Sequence, residues 1–143
     1  MDLINALTST PIDLAEARKI LARRKSITGK LDVFDNLASI ILKGEPDCVT
    51  FLSNKANGYL FDCKTLVKFL TDSGADNLLV LLAAHDKNDG SFKLGDPTVM
   101  LVPCQNIMED INTQEVSVTA IKGANAKVAL EHPPVRNVIQ INE

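Results

Sequence analysis

Cys63, His85 and Asp86 are the residues of this chain whose types and positions come closest to a catalytic set. The sequence holds two histidines, His85 and His132, so a Cys–His or Ser–His–Asp mechanism has to draw on one of them. His85 follows an apolar run that reads as a buried strand and precedes Asp86, a place where polar side chains emerge at the end of a sheet. Cys63 opens an amphipathic stretch, where the amide dipoles of a helix N-terminus favour a thiolate. A thiolate beside an imidazole is competent for nucleophilic catalysis. The competing reading is structural and simpler: an apolar Cys in a first helical turn packs, and a His at a strand end meets solvent.

Other constellations fall short of a site. Asp86-Lys87-Asn88-Asp89-Gly90 resembles the start of a calcium loop, but one position of the spacing is missing, and Pro97 stands where the closing bidentate Glu belongs. A turn is the better reading. Arg18, Lys19, Arg23, Arg24 and Lys25 concentrate positive charge on one predicted helix and could face phosphates. The formal charge of the chain is -3, which disfavours nucleic-acid binding, and a solvated helix end explains the cluster. Cys48, Cys63 and Cys104 are an odd number at wide spacing, without a Cys-x-x-Cys pair or a flanking His to hold zinc. No phosphate loop, dinucleotide fingerprint, nucleophile elbow or His-Glu-x-x-His motif occurs, and no cofactor or metal is expected.

The elements that position these residues read from periodicity and caps. Thr10-Pro11-Ile12-Asp13 supplies a capping hydroxyl and an early proline for a first helix, with Leu14, Ala17, Ile20 and Leu21 as its apolar positions. Ser26 to Leu31, containing Gly29, reads as a connection to a second helix from Val33 to Lys43, capped by Asp32 and stopped by Gly44 and Pro46. Cys48 to Leu52 leans to strand, with Asn57-Gly58 as a turn and Tyr59-Leu60-Phe61 as the return strand. Asp62 caps a third helix, whose Cys63, Leu66, Val67 and Leu70 line one face until Ser73-Gly74. Leu78 to Ala84 is uniformly apolar and reads as a central strand covered on both faces. It pairs through a long loop with a strand from Thr98 to Cys104. Val116 to Ile121 and Lys127 to Leu130 read as two strands around Gly123-Ala124-Asn125. His132-Pro133-Pro134 then breaks the chain before Val138, Ile139 and Ile141, a β-rich tail.

The stretch from Gly58-Tyr59-Leu60-Phe61-Asp62, through Gly74-Ala75-Asp76-Asn77, to Val99-Met100-Leu101-Val102-Pro103-Cys104 resembles a group of small uncharacterised proteins from Bacteroidetes-type bacteria. The likeness covers the order of elements from about Leu14 to Cys104. It implies an α+β fold and a bacterial origin, and carries no activity to transfer.

Length and composition complete the expectation. With 143 residues, 45% hydrophobic and 23% charged, the chain suits a single domain, compact over about residues 10–104 with a C-terminal extension over 105–143. No apolar run approaches the roughly 20 residues of a membrane span, and the first residues lack the basic start of a signal peptide, so a cytoplasmic protein with reduced thiols is expected. The sequence therefore predicts an α+β fold of about three helices packed on a mainly antiparallel sheet. The leading function is a non-catalytic interaction or accessory module, self-associating through Val116, Val118 and Ile121 of the C-terminal strands. The alternatives are a small enzyme or ligand-binding protein using Cys63, His85 and Asp86, and nucleic-acid binding through residues 18–25.

Overall fold

The computed structural model describes residues 2–3, 9–122, 127–131, 133, 135–138 and 140–142. The elements run β1 (Asp2–Leu3), α1 (Leu14–Ile41), α2 (Pro46–Ser53), β2 (Gly58–Tyr59), α3 (Cys63–Ser73), β3 (Asn77–Ala84), β4 (Pro97–Glu109), β5 (Val116–Ala120) and β6 (Val135–Arg136). Three helices and a mainly antiparallel sheet make this the expected α+β fold. The chain divides into two compact units. One comprises Met1–Ser9, Tyr59–Ala83 and Thr98–Pro134; the other comprises Thr10–Gly58, Ala84–Pro97 and Val135–Glu143.

In the first unit the sheet is organised by β4, which lies between β1 and β3 and also pairs antiparallel with β5. The buried hydrophobic residues Val99, Leu101, Val102, Cys104 and Ile107 all belong to β4, as does the buried Thr98. Val, Ile and Thr are stiff at χ1 and pack well on a pleated surface, which suits a strand covered on both sides. Pro103 is fully buried within it and brings no N–H to the ladder. Its carbonyl still accepts from Ile121 N–H at 3.0 Å, so pairing continues past it. The register with β5 shifts between Gln105 and Met108, where Asn106 adopts φ 54°, a left-handed conformation that Asn tolerates better than most residues. The turn into β5 closes on Asp110, whose carboxylate accepts from the N–H groups of Asn112 and Thr113 at 2.9 and 3.3 Å.

The expectation for β3 is corrected. It sits at the end of the path and not at its centre, and Val80 and Leu82 are 53% and 85% exposed. Uniform apolarity shows that both faces of a strand avoid water, but not that this chain covers both. Helix α3 starts on Asp62 as expected: the carboxylate accepts from Thr65 N–H at 2.8 Å and from Thr65 Oγ1 at 2.7 Å. It ends at Gly74, whose φ of 64° is a left-handed cap. Its half-buried positions are Leu66, Phe69, Leu70 and Ser73, so the inward stripe excludes the predicted Cys63 and Val67. Beyond β5, Leu101 and Leu130 exchange two backbone hydrogen bonds, an isolated bridge in place of the strand expected over Lys127 to Leu130. The predicted turn at Gly123-Ala124-Asn125 lies outside the described residues.

In the second unit the two predicted helices are one. Helix α1 runs unbroken from Leu14 to Ile41 through Gly29. A lone glycine costs a helix about 1 kcal/mol, which the surrounding turns absorb, and no proline interrupts Ser26 to Leu31. The N-cap is Asp13 and not Thr10, its carboxylate accepting from Glu16 N–H at 2.8 Å. The stretch expected as strand at Cys48 to Leu52 is helix α2, with Pro46 in its first turn and Asp47 beside the N-terminal amides. It packs on α1, and this contact overrides the β-leaning of Val49, Thr50 and Phe51. Lys55 reaches back to Asp32 and Asp35 of α1 at 3.3 and 3.7 Å. These pairs are half exposed and worth no more than about 1 kcal/mol.

The C-terminal extension carries strand as expected, in β5 and β6, and its last residues also attach to this unit through side chains. Asn57 donates to the Val138 carbonyl at 3.0 Å and accepts from Val138 N–H at 2.6 Å. Arg18 donates from Nε and Nη2 to the Ile141 carbonyl at 3.0 and 2.8 Å. Strand there is limited, among the described residues, to β6, which pairs with β2; Ile139 is outside the described residues.

The loop from residue 85 to 96 is held by its own polar groups. Asn88 Oδ1 accepts from Leu94 N–H at 2.9 Å, Asp96 Oδ2 from Lys93 N–H at 2.8 Å, and Asp89 Oδ1 from Gly90 N–H at 2.7 Å. Gly95, at φ 91°, lies against the Asp47 backbone, and a Cβ there would sit 2.8 Å from Asp47 Cα and clash with its carbonyl. Gly74 has open space on that side and only the φ constraint. Replacing Gly74 with Ala is therefore expected to cost about 1 kcal/mol from the backbone alone. Gly95→Ala adds a backbone clash and is expected to cost about 3 kcal/mol or more. Urea unfolding of both variants checks the order, and equal losses would contradict it.

Candidate functional site

Each predicted site residue has a definite local setting. Cys63 is the first residue of α3 and is exposed, beside an open depression of about 470 Å³ that is lined by Cys63, Lys64, Val67, Lys68, Thr71 and Asp72. All six lining residues come from one helix, and Lys68 and Asp72 pair across one turn at 2.9 Å. A single convex helix surface brings few converging groups to a ligand, in contrast to the enclosed concave sites that bury most of a small molecule. Asp62 already occupies the helix end, satisfying the Thr65 amide that would otherwise attract an anion. Hydrogen bonds from the Thr65 hydroxyl and then the Thr65 N–H hold the Asp62 carboxyl below its ordinary range.

His85 lies in the other unit, and its setting differs from the solvent-facing strand end expected. It is buried and stacks on Phe92, with ring centroids 3.8 Å apart and planes 13° from parallel. Its backbone N–H donates to the Asp96 carbonyl at 2.9 Å, and its backbone carbonyl accepts from Gly95 N–H at 2.8 Å. Asp89 and Phe92 exchange a further pair of backbone bonds, so the loop folds Phe92 onto the imidazole. Aromatic stacking of this kind is a packing interaction, contributing about 0.5–1.5 kcal/mol beyond burial. Asp86 follows on the exposed side of the loop. His132 lies outside the described residues.

The remaining thiols differ sharply in setting. Cys104 is buried in β4 and loss of solvation pushes its thiol up. Cys48 is half buried in α2; partial desolvation and then the negative charges of Asp47 and Glu45 push its thiol up as well. No group of three His, Cys, Asp or Glu side chains suited to a metal ion occurs among the described residues. Within the basic cluster, Arg18 is committed to the Ile141 carbonyl, while Lys19, Arg23 and Arg24 lie exposed along α1. Among the described residues, no helix is long and apolar enough to cross a membrane.

The feature that side-chain chemistry missed is apolar. Helix α1 carries no buried residue, and eight of its large hydrophobic side chains are exposed. Ile20, Ile27, Phe34 and Ile41 among them are seven residues apart, a spacing present in the sequence but obscured by splitting the helix at Gly29. No protein-family model, curated protein or solved structure matches the chain. The fold and these surfaces define an α+β protein in which α1 and β3 turn large hydrophobic side chains outward.

Two measurements follow. Thiol labelling at neutral pH is expected to modify Cys63 first and Cys48 more slowly. Cys104 is expected to react only on unfolding; mass spectrometry of timed digests reads the order, and early labelling of Cys104 would contradict its burial. The Asp62 carboxyl, lowered in the folded state, stabilises α3 fully above the ordinary Asp value of 3.8, and this contribution is lost as pH falls through the lowered one. Asp62→Asn is expected to flatten the acid limb of the stability–pH curve, and an unchanged limb would mean the cap is not formed.

Proposed function

We propose that the protein is an interaction module that works by self-association and not by catalysis, in the reducing cytoplasm that three free thiols suit. The observation that carries this reading is where the apolar side chains lie. Among the described residues the buried hydrophobic side chains are those of β4, whereas α1 leaves eight large hydrophobic side chains in water and β3 leaves Leu78, Val80, Leu81 and Leu82. Exposed apolar area costs about 25 cal/mol per Å² relative to burial, and soluble monomers rarely carry extended apolar patches without a partner.

The C-terminal strand contributes less to such a surface than its sequence suggests. Val116 of β5 is 53% exposed, while Val118 and Ile121 are half buried and the Ile121 N–H is already paired with Pro103. The edge of β3 and the outer side of α1 offer more. A charge-free strand such as Asn77–Ala84 lacks the Lys or Pro with which edge strands usually block pairing.

Light scattering behind size exclusion, on the full chain from micromolar to near-millimolar concentration, is expected to show a dimer or larger species that dissociates on dilution. A folded monomer across that range would overturn self-association.

A further inference from the structure

We infer that a second copy of this chain covers the outer stripe of α1, the two helices running antiparallel; the inference rests on the self-association reading and names its surface. Ile20, Ile27, Phe34 and Ile41 recur every seven residues and are 56%, 50%, 66% and 71% exposed. Seven residues advance an α-helix almost two full turns, so these side chains form one line, drifting about 20° per repeat. Leu31 fills the line between Ile27 and Phe34 at the alternating three- and four-residue steps of a helix-pairing seam. From Ile20 to Ile41 the line is about 32 Å long at 1.5 Å per residue. A seam of this period is what another helix of the same kind packs against, knobs into holes.

Charge along the helix selects the direction. The first half carries Arg18, Lys19, Arg23, Arg24 and Lys25 against Glu16, and the second half carries Asp32 and Asp35 against Lys30, so one half is strongly basic and the other weakly acidic. Two parallel copies would set five bases against five at the same level. Antiparallel copies place the basic half of each along the acidic half of the other, with Ile20 level with Ile41 and Ile27 level with Phe34. Arg24, which interrupts the seam, then falls within a turn of Asp35 of the second copy. Lys55 takes part of the charge of Asp32 and Asp35, yet both carboxylates keep 40% or more of their side-chain surface open. A two-fold axis through the middle of the seam makes the contact self-complementary and closed, so a dimer and not a filament results.

The test uses the full chain. Ile27→Glu/Phe34→Glu keeps residues with good helix propensity at exposed positions, so circular dichroism is expected to be unchanged. Its dimer dissociation constant is expected to rise about 100-fold or more in sedimentation equilibrium, because two seam residues become charges. Direction is read by disulfide cross-linking in a Cys48→Ser/Cys63→Ser background. Ile20→Cys/Ile41→Cys is expected to give a covalent dimer under mild oxidation, and Ile20→Cys alone is not. A folded Ile27→Glu/Phe34→Glu protein that dimerises as tightly as the parent would overturn the α1 seam while leaving self-association standing. Cross-linking by Ile20→Cys alone would overturn the antiparallel direction. A parent chain that is monomeric throughout would sink both this inference and the reading beneath it. A monomer that binds DNA or RNA with steep salt dependence, lost in Arg23→Glu/Arg24→Glu, would instead assign the helix to phosphates.

Discussion

Burial of β4 is the constraint on which the sheet depends. A strand with neighbours on both edges and side chains covered on both faces has no route to water for its polar backbone, so each N–H and C=O must find a partner in the sheet. β1, β3 and β5 all pair with β4, and the bridge between Leu101 and Leu130 adds one more contact on it. Pro103 and the register shift after Gln105 are tolerated because local pairing is restored on either side of them. The same burial pushes the Cys104 thiol up and makes it a core residue. Polar residues placed at the strand's turns, above all Asp110, complete what the ladder leaves unsatisfied.

The second unit is held by a different kind of bond. Its long helix buries no residue, and much of its definition comes from side chains that reach backbone carbonyls or amides at a distance in sequence, as Arg18 does at Ile141 and Asn57 at Val138. Hydrogen bonds of this type contribute about 1 kcal/mol each when both groups are satisfied, and they fix geometry more than they supply stability. The close approach of Gly95 to Asp47 and the stack of His85 on Phe92 serve the same end, pinning a polar loop whose sequence alone has no reason to adopt one shape. The outward apolar side chains of α1 add nothing to this frame, since burial and not exposure supplies hydrophobic stabilisation.

The candidate chemistry illustrates how environment decides what a residue type does. Cys63 at a helix start is a nucleophile position by sequence, but the Asp62 cap answers the helix end, and the depression beside it is shaped by one helix. His85 is a titratable residue by type and a packed ring by position. In the loop that resembles a calcium site, the carboxylates of Asp89 and Asp96 accept from backbone amides and so close the turns.

The sequence by itself determined the elements whose signals are local. The Asp62 cap and Gly74 stop of α3, the end of α1 before Gly44 and Pro46, the apolar run of β3, the start of β5 at Val116 and the α+β class all follow from caps, breakers and short-range periodicity. Only the tertiary structure decided the rest, because it turns on what packs against what. A lone Gly29 does not break a helix whose turns continue on both sides, so α1 runs through it. Val49, Thr50 and Phe51 became helix because α1 was there to pack on, β4 and not β3 took the centre because strand order is a matter of pairing partners, and the inward stripe of α3 settled on Phe69. The exposed apolar stripe was written in the sequence as a seven-residue spacing of Ile20, Ile27, Phe34 and Ile41. It became legible as a stripe only once one continuous helix joined those positions and left them in water.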